Sequence, residues 1–144
     1  MVFRSRIILI ISYFFLFIGC NSFKKDISKF SVEHLLCEYL ETPIGIDTET
    51  PRFRWELKSD INGTTQKGLY LSVGTDSLEV LRGEGNMWQL NNAKNSESLI
   101  TYKGKKLSPF TKYYWGVQVI NNKDVKSDIA ISSFETGMMQ QNNW

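Results

Sequence analysis

The chain has 144 residues, about one domain's worth, and 42% of them are hydrophobic, enough to build a core. Its 17 basic and 15 acidic side chains leave +2, and Arg4 and Arg6 near the start account for that excess. The rest is neutral and carries no electrostatic footprint for nucleic acid or an acidic partner. Cys20 and Cys37 are the only two cysteines, which excludes a multi-bridge disulfide scaffold.

Taken in order, Arg4 and Arg6 precede an apolar run from Ile7 to Ile18 broken by Ser12. The run fits a signal-peptide core and falls short of the roughly 20 residues that span a bilayer. It ends in Phe17-Ile18-Gly19-Cys20, which resembles a bacterial lipobox. The expectation is therefore a lipoprotein signal over residues 1–19 and lipidation of Cys20. The product would be anchored in the envelope of a Gram-negative bacterium, on the outer membrane facing periplasm or cell surface. Acyl chains supply such anchoring, each buried methylene contributing about 0.8 kcal/mol. Residues 20–31 read as a polar tether, and the folded domain is expected over 32–137.

From Val32 the apolar period becomes two. "VEHLLCEYL" reads as a first strand, with Cys37 a small buried residue in it. In "RFRWELK", Phe53, Trp55 and Leu57 alternate with Arg52, Arg54 and Glu56, the pattern of a half-buried antiparallel strand. "GLYLSVG" places Leu69, Leu71 and Val73 on one face, while "DSLEVLR" fits either one helical turn or a short strand. "SLITY", "YYWGVQVI" and "IAISSFET" are further strands, with Trp88 in a loop before them. Strands of this length between turn clusters predict an all-β, antiparallel sandwich of about seven strands.

Within "LSPFTKYYWGVQV" the pattern resembles the corner and following strand of a fibronectin type III or immunoglobulin-like domain. Pro109 sets the turn. Tyr113 falls at the tyrosine corner, whose hydroxyl bonds backbone a few residues upstream. Trp55, Tyr113 and Trp115 are the expected structural core. A wider set is similar to the N-terminal module of bacterial alpha-L-rhamnosidases: Cys37-Glu38-Tyr39, Pro43, Gly45-Ile46-Asp47, Pro51-Arg52-Phe53-x-Trp55, Gln66, Tyr102-x-Gly104 and Phe134-x-Thr136-Gly137. The chain departs at Leu69, where the family usually has Tyr, and at Trp88-Gln89-Leu90-Asn91, where a Trp-Asp-Ser-Gly turn is common.

The resemblance implies a non-catalytic first module, followed in such enzymes by further β domains and an α/α toroid bearing the catalytic carboxyls. Glycoside hydrolysis needs two carboxyl groups flanking the bond, and nothing here maps onto that toroid. It implies that residues 138–144 begin a linker to a next domain, and that the sequence is a module shortened naturally or in the gene model. The chain's own residues offer no catalytic set, no cofactor motif and no metal-ligand spacing around its single histidine, His34. Asp47 and Glu49 are the one loop pair that could hold calcium, against the commoner reading of turn chemistry, and Asn62-Gly63-Thr64 is likewise read as turn chemistry. The leading expectation is a spacer or docking module, with the membrane and the downstream domains as partners. The alternatives are a stand-alone carbohydrate-binding lipoprotein, with Trp88 as the candidate contact for rhamnose-containing glycans, and an adhesive one.

Overall fold

The computed structural model describes residues 30–92 and 94–139. The expected signal segment, Cys20 and most of the tether lie outside the described residues, as do residues 140–144. Seven strands and one short helix follow in order: β1 Phe30–Cys37, β2 Arg52–Ser59, β3 Gln66–Gly74, α1 Ser77–Leu81, β4 Trp88–Asn92, β5 Leu99–Thr101, β6 Lys112–Asn121 and β7 Ala130–Glu135. They form two antiparallel sheets, β1-β2-β5 and β4-β3-β6-β7, an immunoglobulin-like sandwich as the alternation predicts. β4 pairs with β3 rather than joining the three-stranded sheet, so one sheet is wider.

The inward rows of β2, β3 and β6 are those the period-two pattern marks. Phe53, Trp55, Leu69, Leu71, Val73, Tyr113, Trp115, Val117 and Val119 are all buried. Each aromatic ring there removes about 150–250 Å² from water. Phe53 stacks on Trp115 at 4.6 Å across the two sheets, and Tyr113 stacks on Phe134 at 5.4 Å. Leu69, the departure from the family's Tyr, is itself fully buried. The Trp55 indole N–H donates to Gln66 Oε1 at 3.0 Å, and Gln66 Nε2 donates to Glu97 O at 2.7 Å. One side chain thus satisfies a buried donor and ties down the loop before β5.

Several boundaries differ from the sequence reading. β1 begins at Phe30, whose ring is buried, so the last two residues of the expected tether are strand. It ends at Cys37, because Glu38 and Tyr39 take positive φ angles and turn the chain. His34 also has positive φ and sits where the β1–β2 register shifts, which breaks the alternation. "DSLEVLR" is helical: Asp76 accepts from the N–H groups of Leu78 and Glu79. The Glu84 and Gly83 amides bond the Glu79 and Val80 carbonyls at the other end, a Schellman closure with Gly83 at φ +78°. The segment around Trp88, expected as loop, is strand β4.

Candidate functional site

At one end of the sandwich three stretches of chain meet: the β1–β2 loop, the turn before β6, and the residues after β7. The Gly45 and Ile46 amides donate to Glu135 O, each at 3.0 Å, and the Glu135 amide donates to Pro43 O at 2.9 Å. Gly137 donates to Ile46 O at 2.8 Å and accepts from the Phe110 amide at 3.0 Å. Thr136 completes the junction, its Oγ1 donating to Ser108 O at 2.6 Å and accepting from the Thr111 amide at 2.9 Å. The Tyr113 hydroxyl accepts from the Ser108 amide at 2.8 Å, so the corner bond is present.

Glu38 and Arg52 lock the other side of this loop. Arg52 Nη2 donates to Glu38 Oε2 at 2.7 Å and Nε to Oε1 at 3.2 Å, a two-pronged pair. The Arg52 backbone amide also donates to Oε1, at 2.6 Å, and the guanidinium lies 4.9 Å over the Tyr39 ring. These hydrogen bonds hold the Glu38 carboxyl below its ordinary pKa, the side-chain bond from Arg52 being the largest cause. Next to it, burial pushes the Cys37 thiol up to about 12, with the Glu38 charge adding to the effect. The thiol is therefore protonated and inert at neutral pH.

Asp47 serves this junction. Its Oδ1 accepts from the Met139 amide at 2.9 Å, 92 positions along the chain, so the amide it satisfies is not in its own turn. A Cβ on Gly137 would come within 2.6 Å of the same oxygen, which is why that position is glycine. Glu49 stands apart, with Lys106 Nζ at 3.8 Å. Among the described residues no three His, Cys, Asp or Glu side chains converge to hold a metal ion. His34 is exposed on β1 and is not grouped with such residues. Asn62 and Gly63 lie in the β2–β3 turn, closed by Thr64 donating to Ile61 O at 2.8 Å.

The same end carries exposed apolar side chains. Ile44 is 80% exposed and Phe110 78%, with Leu40 and Met138 also open. Ile44 precedes Gly45, Phe110 bonds Gly137 and Met138 follows it, so three of the four flank a single backbone junction. Sequence reasoning missed this cluster because isolated apolar residues in turns show no periodicity.

Trp88 lies elsewhere. On β4 it pairs with Val73 and is half-buried, its ring edge-on to Tyr102 at 5.4 Å. Gly104 packs against its Cβ, and the Tyr102 hydroxyl donates to Lys105 O at 2.7 Å. Trp55, Tyr113 and Trp115 are buried; the Trp115 indole N–H has no hydrogen-bond partner among the described residues.

Glu38, Asp47, Arg52, Trp55, Gln66, Tyr113 and Thr136 thus each make a hydrogen bond within this sandwich. Comparison with known proteins identifies the domain. Residues 32–140 match the family model for the Rha78A-like, N-terminal immunoglobulin domain. An alpha-L-rhamnosidase of Formosa agariphila is 26% identical over 128 residues, covering 88% of this chain and 13% of that protein. The alpha-L-rhamnosidase structure from Dictyoglumus thermophilum superposes with a TM-score of 0.74 at 31% identity, covering 79% of this chain and 13% of that one. The Streptomyces avermitilis alpha-L-rhamnosidase, solved with L-rhamnose, gives a TM-score of 0.73 at 27% identity, covering 81% and 11%. The chain therefore spans about a tenth of the length of the relatives it matches.

Proposed function

Because the chain belongs to the Rha78A-like N-terminal immunoglobulin domain family, we propose that it acts as the non-catalytic head module of a lipid-anchored alpha-L-rhamnosidase-like enzyme. In this reading it spaces the catalytic region from the membrane and docks against the domain that follows. One observation carries the docking role: Ile44, Phe110 and Met138 stand exposed around the backbone junction at which the chain leaves the sandwich. A linked domain meets that surface at high effective concentration, so even a modest apolar contact would hold. The non-catalytic reading is supported by the employment of Glu38 and Asp47 in structural bonds. Lipidation rests on the Phe17-to-Cys20 tetrapeptide.

The test is to sequence past the Trp144 codon and express whatever product the frame encodes. An open frame into further β domains and an α/α toroid is expected. In that product Ile44→Asp with Phe110→Asp should split one thermal transition into two without lowering stability of the sandwich itself. A stop codon with no related sequence following would sink the head-module reading. A single unchanged transition in the double variant would sink the docking surface alone. Metabolic labelling with a fatty acid, lost in Cys20→Ala, tests the anchor.

A further inference from the structure

We propose that Asp47, Gly137 and Met139 form a rigid exit clamp, which fixes the direction in which the polypeptide leaves the sandwich. The use of such a clamp is to aim the following domain, where a flexible tether would let it swing. That use rests on the head-module reading; the clamp itself does not.

β7 ends at Glu135, yet the residues beyond it remain tied down. Ile46 and Thr136 form a parallel bridge, which extends β7 along the β1–β2 loop. Gly137 is held from both sides, its amide by Ile46 O and its carbonyl by the Phe110 amide. The absence of a side chain there makes room, since a Cβ would stand 2.6 Å from Asp47 Oδ1 and 3.1 Å from Gly45 O. Two residues on, Asp47 Oδ1 accepts from the Met139 amide at 2.9 Å. The Met139 side chain is half-buried and packs against the core. Two separate segments, the β1–β2 loop and the turn before β6, therefore grip the same short stretch.

Backbone strain gives a second reason. Phe110 and Met139 have φ angles of 47° and 55°, a region that side chains other than Asn and Asp seldom enter. Such strain persists only where the surroundings over-determine it. Phe110 is 78% exposed, so burial of its ring does not offset the strain. What its conformation secures is the bond from its amide to Gly137 O. Residues 137–139 belong to neither sheet, and a segment past the last strand ordinarily frays unless it is fastened. Strain is thus held where the chain exits, and Asp47 is the positioning residue that fastens the far end of the stretch.

The experiment is nitrogen-15 relaxation and amide hydrogen exchange on the intact chain in mild detergent. Heteronuclear NOE values at Gly137 and Met139 are expected to equal those of β3 and β6. Asp47→Ala should speed exchange of the Met139 amide about fivefold to tenfold and lower its NOE, with β3 and β6 unchanged. Asp47→Asn keeps an acceptor oxygen in the same place and should restore most of the protection. Low, tail-like NOE values at Gly137 and Met139 in the parent overturn the clamp. Unchanged exchange in Asp47→Ala, an equal rise throughout β3 and β6, or no recovery in Asp47→Asn overturns Asp47 as its positioning residue. A stop codon after Trp144 would remove the clamp's use and leave these results standing, so the two readings fail separately.

Discussion

The laced end of the sandwich, residues 37–53 with 107–113 and 134–139, and the flank formed by residues 74–92 reach order by opposite means. At the laced end the bonds are long-range and made by particular side chains: Arg52 to Glu38, Asp47 to Met139, Thr136 to Ser108 and Thr111. On the flank they are mostly local. Asp76 caps α1, Gly83 closes it, and Asn86 Oδ1 accepts from the Thr75 amide at 3.1 Å. A long-range lock fails when its residue type changes, whereas a cap accepts several types at modest cost. The difference explains why one region carries a recognisable signature and the other does not.

Removing core from each region tests that contrast most severely. Phe53→Ala takes away a ring that meets Tyr102, Trp115 and Phe134, and should cost about 3–5 kcal/mol in urea unfolding. Val80→Ala, under α1, removes only two methyl groups and should cost about 1.5 kcal/mol. Equal losses would mean that the two regions unfold as one tightly coupled unit. A smaller step compares glycines. Gly137→Ala drives a Cβ into Asp47 Oδ1 and should cost about 1–3 kcal/mol. Gly83→Ala meets nothing within 4 Å and bears only the strain of φ +78°, about 1 kcal/mol. Pairing Gly137→Ala with Asp47→Ala should recover part of the first loss, since the two positions share one space.

The legible parts of this molecule are those where one physical rule acts alone. Alternation on β2, β3 and β6 survives because each strand has three or four inward positions between two sheets. β4 shows only Trp88 and Leu90 inward, half-buried at the sheet edge, too short a sample for a period to register. β1 hides its pattern at His34, where a bulge shifts the register. α1 is a single turn whose apolar Leu78 and Leu81 are exposed, so it has no stripe to read. Asp47 reads in the sequence as a turn residue, and only the approach of Met139, 92 positions away, gives it its task.

The two finest locks of the laced end separate by pH. Tyr113→Phe removes an acceptor from the Ser108 amide and should cost about 1 kcal/mol. The Glu38–Arg52 pair behaves otherwise. Its carboxyl is depressed in the fold below the ordinary value of 4.5, so as pH falls the unfolded chain takes up this proton first. The pair's contribution is complete above that value and disappears as pH drops through the lower folded pKa. Thermal melts from neutral pH into acid should show Glu38→Gln losing less stability than the parent across that window, with the two curves converging at its acid end. Tyr113→Phe should run parallel to the parent throughout. A Glu38→Gln curve that stayed parallel as well would mean the pair is screened by solvent, and that the loop is held by its bonds to Glu135, Gly137 and Met139.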